Sequence, residues 1–137
     1  MPRAPLPAEL LEFLAKPRMA VVGTVRADGS PVTTPCWYAL DPDGRIVLSM
    51  DEASHRLSHL RGDPRIALSV LGNDWYSHLS ILGRAVELRP DRDLADIDAL
   101  SRRYLGEPYD DRDYRGVTVL AEIERWHTYG DPAAEAR

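Results

Sequence analysis

The stretch SMDEASHRLSHLRGDPR, Ser49 to Arg65, changes period twice. Its first residues finish the apolar run RIVLSM. Ala53, Leu57 and Leu60 then recur at helical spacing, with Asp51 and Glu52 favouring the N-terminal end of that helix. Gly62-Asp63-Pro64 stops it, because proline cannot continue a helix and disfavours helical backbone in the residue before it. A new apolar run, PRIALSVLG, follows at once. A short helix between two strands, with tight turns on either side, fits a small mixed domain rather than a bundle or a repeat array.

Outward from that stretch, the strand signals continue in both directions. Towards the N-terminus, MAVVGTV (Met19–Val25) and PVTTPCWYAL (Pro31–Leu40) flank Ala27-Asp28-Gly29-Ser30, whose Asp-Gly pair marks a hairpin. Asp41-Pro42-Asp43-Gly44 marks a second turn before RIVLSM. Pro35 lies inside a strand and removes a ladder donor, so an edge, a bulge or a ligand-facing gap is expected there. Ahead of these, AELLEFLAK after Pro7 reads as a helix ended by Pro17. Towards the C-terminus, WYSHLSILGRAVELR is long enough for a bent strand with a bulge at Gly83. DRDLADIDALSRRYLG places Leu94, Ile97, Leu100, Tyr104 and Leu105 on one helical stripe closed by Gly106. EPYDDRDYRG is a polar loop, GVTVLAEIERWHTYG a last strand, and 131–137 a loose tail. The resulting order, α–β–β–β–α–β–β–α–β, gives six mostly hairpin-linked strands and three helices. The expected fold is a mainly β, α+β antiparallel barrel, closed or split, occupying residues 1–137 as one domain.

Composition limits the function. The 137-residue chain has a formal charge of −5, which disfavours a general electrostatic nucleic-acid binder. No apolar run approaches the roughly 20 residues of a membrane span, and the N-terminus lacks the uninterrupted apolar stretch of a signal peptide. A single cysteine, Cys36, excludes an internal disulfide framework, and a reducing cytoplasm is the expected compartment. His55 and His59 are spaced i, i+4, but Arg56 and Leu57 stand where a zinc-protease helix would carry its glutamate, so no metal site is expected. Nucleophile-elbow, dinucleotide-fold and Walker-type glycine loops are absent. Lys16 is the only lysine among 17 basic residues, and arginine suits bidentate phosphate recognition. The start of the second helix offers free N–H groups, a hydroxyl on Ser54 and a cation on Arg56, with Arg61 and Arg65 nearby. That set could grip a phosphate, although arginine-rich helices are more often simply solvated faces.

SHRLSHLRGDP (Ser54–Pro64), DGSPVTTPCWYALDPDG (Asp28–Gly44) and GRAVEL (Gly83–Leu88) share their order and spacing with one known group. The chain resembles the pyridoxamine 5′-phosphate oxidase-like split β-barrel superfamily. Within it, the chain is similar to the small actinobacterial branch that uses the deazaflavin coenzyme F420. It departs from the usual pattern at His55, Arg56 and Asp63, where Arg, Lys and Asn are common. The resemblance implies a homodimer of six-stranded split barrels with the cofactor at the interface. Arg56 would bind the phosphate, with Ser54, His55 and Thr34 beside it. Ser49 and Met50 would line the ring and ribityl region with backbone groups. Pro35, Cys36 and Trp37 would flank the tricyclic ring, and Trp75, from the same or the other subunit, would stand near the coenzyme tail. For Trp37 and Trp75 the plainer role is core packing, and for Thr33 and Thr34 it is strand propensity.

The implied activity is hydride transfer from reduced F420 to an activated double bond of a small organic substrate. A proton would come from water or a hydroxyl such as Tyr38 or Tyr76. The alternatives are an FMN-dependent oxidase or reductase on the same barrel, and a non-catalytic module that stores a cofactor or haem.

Overall fold

The computed structural model describes residues 1–136. A seven-stranded antiparallel sheet is built from β1 (Ala20–Val25), β2 (Pro31–Cys36), β3 (Ala39–Leu40), β4 (Ile46–Asp51), β5 (Arg65–Leu71), β6 (His78–Pro90) and β7 (Gly116–Tyr129), in the order β2-β1-β5-β6-β7-β4-β3. Three helices, α1 (Ala8–Leu14), α2 (His55–Gly62) and α3 (Ala95–Leu105), and a 3₁₀ turn, Pro132–Ala136, complete it. No helix among the described residues is long and apolar enough to cross a membrane.

The mainly β, α+β reading holds, with a correction to the strand count. The run Pro31–Leu40, expected as one strand, is two. β2 pairs with β1 at one edge of the sheet, and β3 pairs with β4 at the other. Only Trp37 and Tyr38 separate them, and three Cα steps bring the two edges within roughly 11 Å of one another. The sheet is therefore rolled, and a covalent seam joins edges that no ladder closes. The strand breaks there because Tyr38 turns its ring into the core, where it is fully buried. Its backbone is then satisfied from α3 rather than from a strand. Its N–H donates to the Tyr104 hydroxyl at 3.3 Å, and its carbonyl accepts from Arg103 Nε at 3.0 Å.

Arg103 fastens the seam further. It donates to the carbonyls of Leu14, Ala15 and Lys16 at 2.7–2.8 Å, the orphan acceptors at the end of α1. Alternation fills the inside of the roll: Ala20 and Val22, Ile46, Leu48 and Met50, Ile66, Leu68 and Val70, and Leu79 and Ile81 all face one core. Phe13 and Leu14 of α1 plug one end, and Leu57 and Leu60 of α2 are buried in the same cluster. Each such side chain contributes about 1.5–3 kcal/mol on burial.

Both early turns are three-residue hairpin loops that end on a left-handed glycine. Gly29 (φ +87°) and Gly44 (φ +80°) donate to Arg26 and Asp41 three residues earlier. The bulge expected at Gly83 is present: the β6–β7 register shifts between Leu82 and Gly83. A Cβ at Gly83 would run into the Glu122 carbonyl oxygen.

Two helix starts move from their expected places. Asp51 ends β4, and α2 begins at His55 with Ser54 as its cap, the Ser54 Oγ accepting from Leu57 N at 3.3 Å. α3 begins at Ala95 rather than at Asp91. The buried Asp91 carboxylate accepts from the N–H groups of Asp96 and Ile97 at 3.1 and 2.9 Å, satisfying the helix start from a distance. The segment 131–137, read as loose, carries the 3₁₀ turn, which packs on α1, while the Glu135 side chain pairs with Arg18 beyond that helix; Arg137 lies outside the described residues.

Candidate functional site

A cleft of about 770 Å³ opens beside the seam, within the size range of cofactor sites. Register and alternation put its residues there. Ala20 and Val21 pair with Cys36 and Pro35 across β1 and β2, and all four line the cleft. β2 is an edge strand, where a residue without an N–H is tolerated. Ser49 and Asp51 alternate out of β4 into the cleft. Arg56 enters from the first turn of α2. Ile97, Leu100 and Tyr104 form a wall from α3, and Tyr109 and Tyr114 come from the loop between α3 and β7.

The wall is aromatic and pre-packed. Trp37 stacks on Tyr104 with ring centroids 5.5 Å apart and planes 13° from parallel. Tyr109 meets Trp37 edge-on at 6.2 Å and Tyr114 at 5.2 Å. The Tyr104 hydroxyl donates to the Arg18 carbonyl at 2.7 Å, which pins the stack to the barrel. The loop with Tyr109 and Tyr114 is held by Asp98, which accepts from Tyr109 N at 2.9 Å and from Arg112 at 2.8 and 3.2 Å. Arg112 keeps the Asp98 carboxyl below the usual carboxylate range.

One end of the cleft is polar. Ser49 Oγ and the Tyr114 hydroxyl lie 2.8 Å apart. That pair has two hydroxyl protons and uses one in its own bond, so one remains for a ligand. Burial raises the Tyr114 pKa, and the hydrogen bond with Ser49, then the charge of Arg56, oppose the rise. The Cys36 thiol is pushed up to about 11 by burial, again against the pull of Arg56, so it is a neutral wall residue at physiological pH. Arg56 is the one cationic side chain lining the cleft, and it has no hydrogen bond or ion pair among the described residues. A half-buried guanidinium with no partner, facing a cavity, is suited to an anionic ligand.

The fold thus gathers Pro35, Cys36, Trp37, Ser49, Arg56 and Trp75 around one cavity. Four other expected residues stand apart from its lining. Met50 faces the opposite side of β4 from Ser49 and is fully buried in the core. Thr34 is on the face of β2 shared with Cys36, one pleat further back. Ser54 is occupied as a helix cap, and His55 is exposed on α2. Trp75 is not a core residue: it is 82% exposed at the mouth, beside Met19 at 74%. Arg65 is held by Asp63 at 2.6 Å, and neither it nor Arg61 lines the cleft. Tyr38 is no proton source for the cleft, because its hydroxyl is shared between the carbonyls of Leu14 and Lys16.

Sequence reading singles out no residue of the α3 wall for the site; it expects the loop Tyr109 to Arg115 to help build the pocket but gives neither Tyr109 nor Tyr114 a role there. Two tyrosines in an otherwise charged loop, EPYDDRDYRG, were the available signal.

The family model for pyridoxamine 5′-phosphate oxidase matches residues 6–129. Among solved structures, an F420 reductase is 26% identical, with a TM-score of 0.76 and coverage of 90% of this chain and 98% of that one. A conserved hypothetical protein from Mycobacterium tuberculosis is 25% identical at the same TM-score, covering 96% and 89%. More distantly, an FMN-binding protein related to pyridoxamine 5′-phosphate oxidase, from Nostoc punctiforme, shares the fold at 13% identity and a TM-score of 0.62, covering 81% and 73%. The resemblance read from the second helix and the GRAVEL strand therefore holds, and the chain belongs to the pyridoxamine 5′-phosphate oxidase family.

Proposed function

We propose that this protein is an F420-dependent oxidoreductase, with the cleft beside the seam as its cofactor and substrate site. The observation that carries the reading is the unpartnered Arg56 at the polar end of a largely apolar cavity walled on one side by the Trp37–Tyr104 stack. A planar tricyclic ring with a phosphorylated side arm matches both features. The similarity to an F420 reductase supports the choice of deazaflavin. FMN shares the phosphate and the flat ring, and is the rival to be tested against it.

When bound in reduced form, the coenzyme supplies the hydride for an activated double bond. The chain's own groups position, shield and protonate. Arg56 holds the phosphate, and Pro35, Cys36 and Trp37 border the ring. The Trp37–Tyr104 stack and Tyr109 keep water from the reacting face. The Ser49–Tyr114 pair presents the hydroxyl proton that an acceptor reduced by hydride requires on its neighbouring atom. The exposed side chains of Trp75 and Met19 form an apolar rim at the mouth, and we place a second copy of the chain over it.

Titrating the purified protein with F420 and with FMN in parallel, followed by their visible spectra, tests the reading. Saturable micromolar or tighter binding of F420, and oxidation of reduced F420 by a panel of enones, is the expected result. Preferential binding of FMN moves the assignment to the flavin enzyme. Tight binding without turnover of any acceptor leaves only a cofactor-binding module.

A further inference from the structure

The loop Gly72–Ser77 brings Trp75 to the mouth of the cleft, and its position is set from the far end of the chain. Gly72 N donates to the Ser77 carbonyl at 2.8 Å and closes the loop on itself. The Glu135 carboxylate, from the 3₁₀ turn after β7, then accepts from Asn73 N at 3.0 Å. It fills the space where a Gly72 side chain would stand, since a Cβ there would collide with both of its oxygens. The same carboxylate accepts from Arg18 at 3.4 Å. Arg18 is itself buried, stacked 3.9 Å over the Phe13 ring, and donates from Nε to the Phe13 carbonyl at 2.7 Å. Lys16 holds the Glu135 carbonyl at 3.1 Å. Core, 3₁₀ turn and loop therefore form one chain of contacts that ends two residues before Trp75.

We propose that Glu135 is a positioning residue of the cleft: its carboxylate anchors the Gly72–Ser77 loop so that Trp75 stands against the bound ligand. The proposal rests on the reading of the cleft as a cofactor site and adds a residue that touches no ligand. Arg18 supplies a rigid base, because a guanidinium bound to a carbonyl and a ring face cannot follow the loop if it shifts.

Two measurements test it. First, 5-fluorotryptophan labelling gives three ¹⁹F resonances, one for each tryptophan in the chain. In the ligand-free protein, Glu135→Ala should shift or broaden the Trp75 resonance and leave Trp37 and Trp126 in place. Glu135→Gln, which retains an acceptor for Asn73 N, should restore it. Second, Glu135→Ala should weaken F420 binding by about three- to tenfold, the worth of one hydrogen bond. The double variant Trp75→Ala/Glu135→Ala should bind no worse than Trp75→Ala, because both act on one contact.

Should Glu135→Ala fail to fold, Gly72→Ala displaces the carboxylate by volume alone and should give the same spectral change. An unmoved Trp75 resonance overturns the proposal, and so do additive losses in the double variant. If the wild type binds neither F420 nor FMN, the functional reading fails, and the ¹⁹F result alone still decides whether Glu135 positions the loop.

Discussion

Replacing Arg56 with alanine removes the one cation that lines the cleft among the described residues. The guanidinium has no internal partner among the described residues, so the folded protein loses little by its removal. Surface-type changes of this kind shift stability by no more than about 0.5 kcal/mol, so the melting temperature should move by only about 2 °C. A phosphate gripped by Arg56 would lose charge-assisted hydrogen bonds worth about 1.5–3 kcal/mol. At 1.4 kcal/mol per tenfold, the dissociation constant for F420 should rise about 10- to 150-fold. Because the cleft is open to solvent on one side, the lower part of that range is expected in physiological salt. Arg56→Lys keeps the charge without the fork and should fall between wild type and alanine. Arg61→Ala, outside the cleft, should leave binding unchanged. The assay is a spectral titration of all four proteins in low and high salt. An Arg56→Ala dissociation constant within twofold of wild type would refute the phosphate assignment. A large drop in melting temperature would show that Arg56 serves the fold instead.

The same geometry sets three further expectations. Tyr104→Phe keeps the stack on Trp37 but strips bonds from the Arg18 carbonyl and the Tyr38 N–H; thermal unfolding should show about 1–3 kcal/mol of lost stability, with coenzyme affinity within threefold. Cys36, the only cysteine, should alkylate slowly with iodoacetamide at pH 8 and faster as pH approaches about 11, because the thiolate is the reactive form; saturating coenzyme should block the reaction in a mass-spectrometric time course. The folded Asp98 carboxyl titrates below its unfolded value, so its pairing with Arg112 stabilises the protein above the ordinary carboxylate pKa and ceases to do so as pH falls through the lower folded one; Asp98→Asn should therefore narrow the stability difference between neutral and acid pH in denaturant titrations.

Periodicity and turn chemistry carried most of the fold. α2 was legible because Leu57 and Leu60 must share a face and Gly62–Pro64 must end it. The bulge at Gly83 was legible because a lone glycine inside a strand pattern marks one, and a side chain there would have no room beside Glu122. The break after Cys36 was not, since β3 is only two residues long and exists through its pairing with β4 and through α3's hold on Tyr38. No local signal encodes that. At the site, Pro35 stood out as a proline inside a strand and Arg56 as a cation beside free helix N–H groups, whereas the roles of Cys36 and Trp37 were implied by the family resemblance. Met50 was expected to act through its backbone, and strand alternation turns its side chain into the core. The tyrosine wall depends on how α3 and its following loop fold back over the seam, a tertiary fact that neither segment states alone.

A crystal structure of the protein with F420 bound would settle the matter most directly. We expect the tricyclic ring against Pro35, Cys36 and Trp37, and a phosphate oxygen within hydrogen-bond distance of the Arg56 guanidinium. An empty cleft in crystals grown with saturating coenzyme, or F420 bound elsewhere with Arg56 turned to bulk solvent, would contradict the account.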